Sequence, residues 1–147
     1  MIRAARPADL PRLRAIQLAT LAEPWDGLLE PVIEGPPVAL VAVPDQETAP
    51  VGYAVALQGD GTAYLAELAV APGHRRTGHG SALLAALDDR LADRGCARVR
   101  LTVRADDEGA RAFYAAAGFT EDARLSDHYE DGDAVVLSRP VQAATSN

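Results

Sequence analysis

A mixed α/β domain, with hairpins and helical crossovers feeding one sheet, is the fold class this sequence predicts. Two short apolar runs, 38–43 and 51–57, flank a polar, proline-bounded turn, the pattern of an antiparallel hairpin. Two segments with helical spacing, ending at Gly95 and Gly118, each lead from one β-type run to the next. A length of 147 residues, with 48% hydrophobic and 24% charged side chains, fits one globular domain. The domain is expected over 1–140, with 141–147 as a loose tail.

The elements follow in chain order. "MIRAA" has room for a first strand. In the next segment Leu10, Leu13, Ile16 or Gln17, and Leu21 recur at near-helical spacing, and Pro7 suits a first helical turn. "EPWDGLLEPVIEGPP" reads as a short helix broken by Pro24, Gly27 and Pro31. After the hairpin, a "GDG" turn opens a third long strand at 62–71. Leu83, Leu84, Leu87 and Leu91 mark one face of a helix that Gly95 can end. Residues 97–103 alternate as a strand, "DDEGARAFYAAAGF" gives a helix ending at Gly118, and "FTEDARL" and "DAVVLSR" read as closing strands.

Composition narrows the function classes. The net charge is −7, and every fixed side-chain cation is an arginine, because the chain has no lysine. An acidic surface disfavours nucleic acid and suits an amine-bearing partner. No apolar run is long enough to span a bilayer, and the charged N-terminus leads into no apolar segment of the secretory kind. Cys96 is the only cysteine, so an internal disulfide and a cysteine-based zinc site are excluded. Three scattered histidines with no helical pair point to no metal. The cytoplasm is the simplest compartment for such a chain.

The most informative stretch is "APGHRRTGHGSALL", where glycines and basic residues precede a leucine-faced helix, an arrangement suited to an anion at the helix start. Gly73 and Gly78 have Walker A spacing, but His79 and Gly80 stand where lysine and a hydroxyl residue are needed. Gly78-x-Gly80 is followed by Leu83 rather than a third glycine, which rules out a dinucleotide fingerprint. Arg75-x-x-Gly78-x-Gly80 instead resembles the pyrophosphate loop of the GNAT superfamily of acyl-CoA N-acyltransferases. "IRAARPADLPRL", "LAELAVAPGHRRTGHGSALL", "ARAFYAAAGF" and "HYEDGDAVVLSR" resemble successive blocks of that superfamily, in order and over nearly the whole chain.

The resemblance implies an acetyl-CoA-dependent acetyltransferase whose mixed sheet splays between its fourth and fifth strands, with helices on both faces. It places pantetheine against the backbone of Leu68, Ala69 and Val70, and the phosphates against Arg75, Arg76, Thr77, Gly78, His79, Gly80 and Ser81. Leu68 and Val70 side chains also read as plain core. Tyr114, four residues before Gly118, takes the position of the acid that protonates the departing thiolate; packing is its other reading. Asp107 stands where the superfamily often has asparagine touching CoA, and it also suits a helix cap. Glu67, directly before "LAV", is the candidate base, its other reading a solvated carboxylate on a sheet face. Tyr64 lines the same cleft in this reading; His128, Glu130 and Asp131 are the fallback bases, and His74 goes with the phosphate loop.

For the acceptor, the expectation is a primary amine of a small molecule. "EPWDGLL", "HRRTGHG" and "HYEDGDAVVL" resemble the ribosomal-protein N-terminal acetyltransferases, which carry a glutamate where this chain has Thr102. That departure argues against a protein N-terminus, which stays as the alternative together with a non-catalytic acyl-CoA sensor. Carboxylates at Glu23, Asp26, Glu30, Glu34, Asp127, Glu130, Asp131 and Asp133 suit a cationic acceptor or are simply solvated loops. A homodimer, frequent in the superfamily, is the assembly the resemblance raises.

Overall fold

A computed structural model describes residues 1–21, 27–29, 38–44, 49–75, 77–129 and 132–142, apart from the side chains at 127 and 129. The strands are β1 (Ile2–Ala4), β2 (Val38–Ala42), β3 (Gly52–Gln58), β4 (Thr62–Val70), β5 (Arg98–Arg104), β6 (Thr120–Tyr129) and β7 (Gly132–Pro140). The helices are α1 (Leu10–Thr20), α2 (His79–Asp93) and α3 (Glu108–Ala116). All seven strands form one sheet in the order β1-β2-β3-β4-β5-β7-β6, antiparallel except where β4 meets β5. The expected mixed α/β class holds. The broken helix expected over 23–37 and the loose tail lie mostly outside the described residues.

Pro7 does not open α1. It opens a short 3-10 turn, Pro7–Asp9, and Pro11 occupies the first turn of the helix proper. The Asp9 carboxylate explains the offset: it accepts from the Arg6 N–H at 2.8 Å and from the Arg3 guanidinium at 2.8 and 2.9 Å. Those Arg3 hydrogen bonds hold the Asp9 carboxyl below its ordinary range and tie β1 to the start of α1.

Two apolar clusters sandwich the sheet. One contains Leu13 and Ile16 of α1 with Val41, Tyr53, Val55 and Ala69 of the strands. The other contains Leu83, Leu84, Leu87 and Leu91 of α2 with Leu40, Leu65, Val99, Leu101 and Tyr114. The leucine spacing read from sequence therefore gives the buried face of α2, and Gly95 closes the helix at φ +80°. Among the described residues, no helix is long and apolar enough to cross a membrane.

A buried ion pair fastens α2 to the far half of the sheet. Arg139 of β7 donates to both Asp88 oxygens at 2.9 and 2.8 Å, and the Gln142 N–H reaches the same carboxylate at 3.2 Å. The guanidinium also lies over the Phe119 ring, 4.5 Å from its centroid. Replacing Asp88 by alanine strands the cation in the core and should cost about 3–5 kcal/mol in denaturant unfolding. Replacing both partners, Asp88→Leu with Arg139→Met, should cost much less than that single change, which equilibrium unfolding in urea can test.

Candidate active site

The site is built where β4 and β5 stop pairing. They are in register for Thr62, Ala63 and Tyr64 against Arg98, Val99 and Arg100, and no further pairs follow. Past that point lies a gap of about 330 Å³ whose lining includes Tyr64, Glu67, Leu68, Thr102, Asp107 and Tyr114. Tyr64 and Glu67, expected in one cleft from the sequence, thus meet there, and Tyr114 joins them from α3.

A bulge on the other edge of β4 decides which way Glu67 faces. Val55 pairs with Glu67 and Ala56 with Leu65, so Ala66 is an extra residue opposite β3. One inserted residue reverses the side-chain alternation. Ala63 and Leu65 consequently face α2, whereas Ala69 faces α1. Glu67, in register with Val55, goes with Ala69.

Glu67 is correspondingly not the solvated carboxylate of its alternative reading. It is 6% exposed. Tyr53 donates to its Oε1 at 2.8 Å, and the Gln17 amide donates to Oε1 at 2.9 Å and Oε2 at 3.2 Å. Sequence reading missed both partners. Their signal was present: Gln17 sits on the apolar stripe of α1, and Tyr53 carries a hydroxyl within an apolar strand. A polar group at a core position needs a partner there.

Tyr114 lies on the opposite face, with its ring edge-on to Phe113 and Phe119 at centroid distances of 5.1 and 5.3 Å. Burial, and then the charge of Asp107, pushes its hydroxyl above the ordinary tyrosine range. Among the described residues that hydroxyl has no hydrogen-bond partner. Asp107 caps α3, accepting from the Ala110 N–H at 3.0 Å.

Of the three β4 residues expected to offer backbone, Leu68 and Val70 turn theirs away from β3, whereas Ala69 turns its amide toward β3. The Ala71 N–H donates to Val51 of the β3 side at 2.7 Å. A strand alternates its amides, so Val70 and Leu68 turn theirs toward β5, which no longer pairs with them. Arg75 Nε reaches the Val70 carbonyl at 3.4 Å, on that same side.

Gly78 precedes α2 at φ +87°, and a Cβ there would meet nothing within 4 Å. It leaves the first N–H groups of His79, Gly80 and Ser81 open at the helix start. Gly80 is glycine for a different reason: a Cβ would come within 3.2 Å of the Phe113 ring, the neighbour of Tyr114. Thr77 is exposed, its hydroxyl donating to the His74 carbonyl at 2.6 Å. The His74 and His79 rings lie 6.3 Å apart beside this loop. Arg76, Glu130 and Asp131 lie outside the described residues, and His128 is exposed on β6.

The sequence profile of the acetyltransferase (GNAT) family matches residues 7–119. The chain belongs to this family. Its GNAT fold is close over full length to the ribosomal-protein-S18-alanine N-acetyltransferase of Escherichia coli: TM-score 0.84, 30% identity, covering 100% of this chain and 97% of that one. Ard1 from Thermoplasma volcanium superposes with a TM-score of 0.87 at 29% identity, covering 97% of each chain. A mycothiol acetyltransferase from Kineococcus radiotolerans is 50% identical over 62 residues, 42% of this chain and 20% of that protein. The E. coli K12 [ribosomal protein bS18]-alanine N-acetyltransferase is 40% identical over 83 residues, 54% of this chain and 56% of its own length. The chain thus spans little more than half of one of these relatives and a fifth of the other.

Both interior tyrosines affect alkaline stability. Tyr53 is pushed up by burial and then by the Glu67 charge, as Tyr114 is by burial and Asp107. The unfolded chain releases tyrosine protons near about pH 10, where the folded chain still holds these two. Folding then binds more protons than unfolding leaves, so stability falls with rising pH, by about 1.4 kcal/mol per unit for each group. Urea unfolding above about pH 10 should show that slope, and Tyr53→Phe should flatten it.

Proposed function

We propose that this protein is an N-acetyltransferase that moves an acetyl group from acetyl-CoA to a primary amine. The observation that carries the reading is the parted strand pair, with Glu67 reaching the gap from the α1 face and Tyr114 from the α2–α3 face. Acetyl-CoA fits the same groove: the unpaired edge of β4 can hydrogen-bond pantetheine amides, and the open helix start behind Gly78 suits its pyrophosphate. Leu68 and Val70 would hold the former; Arg75, Arg76 and the first residues of α2 the latter. The thioester supplies an activated acetyl carbon and a thiolate leaving group.

The two side chains divide the proton work. An amine acceptor arrives as an ammonium ion, and Glu67 takes a proton so that the nitrogen lone pair can form the C–N bond. As the C–S bond breaks, Tyr114 gives its proton to sulfur and is restored by the second amine proton. The products are an amide and the free CoA thiol. Tyr114 is protonated at neutral pH, as a donor to the thiolate must be. Its burial raises its proton affinity and makes it a weaker acid than a solvated tyrosine. Acid and base sit on opposite faces of the sheet, so thioester and amine approach from opposite sides.

The acceptor we favour is a small-molecule amine, because Thr102 lines the gap where ribosomal-protein acetyltransferases carry glutamate. A peptide α-amine is the second reading, supported by the full-length likeness to the E. coli S18-alanine enzyme. Thiol release from acetyl-CoA across small amines, aminoglycosides and N-terminal peptides decides between them. Tyr114→Phe should lower kcat by about 10²–10⁴-fold while CoA affinity is kept. Unchanged turnover would remove Tyr114 as the acid, and CoA binding without turnover on any acceptor would favour a sensor module.

A further inference from the structure

The grip on Glu67 goes beyond what placing a base requires. Tyr53 and Gln17 are 0% and 8% exposed, beneath α1 among Leu13, Ile16, Val41 and Val55. Neither lines the gap; their side chains reach it through Glu67, to which both donate. Burying an amide, a phenol and a carboxylate together in an apolar layer is a poor way to gain stability, since hydrophobic residues of similar shape do as well or better. The geometry is also specific. β3 and α1, elements 14 and 50 residues distant along the chain, each send one donor to the same Oε1.

We propose that Gln17 and Tyr53 are positioning residues for acetyl transfer, which together hold the Glu67 carboxylate aimed at the acceptor side of the gap. This rests on the acetyltransferase reading above. Two donors from separate elements fix the Glu67 rotamer, which removes the entropy of searching for the acceptor nitrogen.

Tyr53→Phe removes a single oxygen and Gln17→Met keeps the side-chain length, so both test the role with little loss of packing. In the acetyl-CoA assay, each should lower kcat by about tenfold or more while the KM for acetyl-CoA stays at the wild-type value. CoA-induced thermal stabilisation should match the wild type, showing that fold and cofactor groove are intact. In a Glu67→Gln background, Tyr53→Phe should lower kcat no further, because its effect passes through that carboxylate. An active wild type whose Tyr53→Phe and Gln17→Met variants keep the full kcat overturns the positioning role alone. Full activity in Glu67→Gln overturns it together with Glu67 as base. A wild-type chain that binds CoA but acetylates nothing in the panel overturns the acetyltransferase reading, and the positioning role with it.

Discussion

Everything that distinguishes this domain from an ordinary mixed sheet follows from the short pairing of β4 with β5. Three residue pairs hold the two strands together, and then each keeps bonding only to its outer neighbour. A parallel pair that continued would satisfy its own amides and leave nothing to offer a ligand. Parting the strands opens a slot through the sheet and leaves one backbone edge of β4 without a strand partner. The slot opens onto both apolar layers, which is why two side chains from different layers can meet across it.

The bulge at Ala66 complements this parting. On a regular strand, Glu67 would share a face with Leu65 and point under α2, among leucines, with no donor in reach. One extra residue sends it under α1 instead, to Gln17 and Tyr53. A backbone irregularity and two buried polar side chains therefore form a single unit. The parts make sense together and would each be a defect alone.

How far the sequence disclosed this depends on the range of the interaction. Alternation over 62–71 and 97–103, the leucine stripe of α2 and the glycines at 95 and 118 are local signals, and they place elements within a residue or two. The loop ahead of α2 was legible because Gly78 must adopt a left-handed backbone. Gly80 was read only as part of a phosphate loop; that a side chain there would press on the Phe113 ring, a contact 33 residues away, is something spacing does not encode. β6 runs on to Tyr129, past the "FTEDARL" segment, because pairing with β7 carries its polar end into the sheet. The grip on Glu67 was not legible at all. It depends on a bulge and on tertiary neighbours, and only the misplaced polarity of Gln17 and Tyr53 hinted at it.

The ion pair between Asp88 and Arg139 carries a mechanical consequence. The half-sheet β1–β4 packs under α2, whereas β5, β7 and β6 form the other half, joined to the first by the brief β4–β5 contact. Such an arrangement resembles two book covers on a narrow spine, and α2 is the strap between them: its leucines grip one cover and Asp88 grips the other. Because that clasp is shielded from water, dissolved ions do little to loosen it. The width of the slot is then governed by packing and hardly at all by salt. Ionic strength should be felt instead at the exposed head of α2, where we propose that the cofactor phosphates dock, so that salt governs how often a ligand arrives and leaves the aperture it meets unchanged.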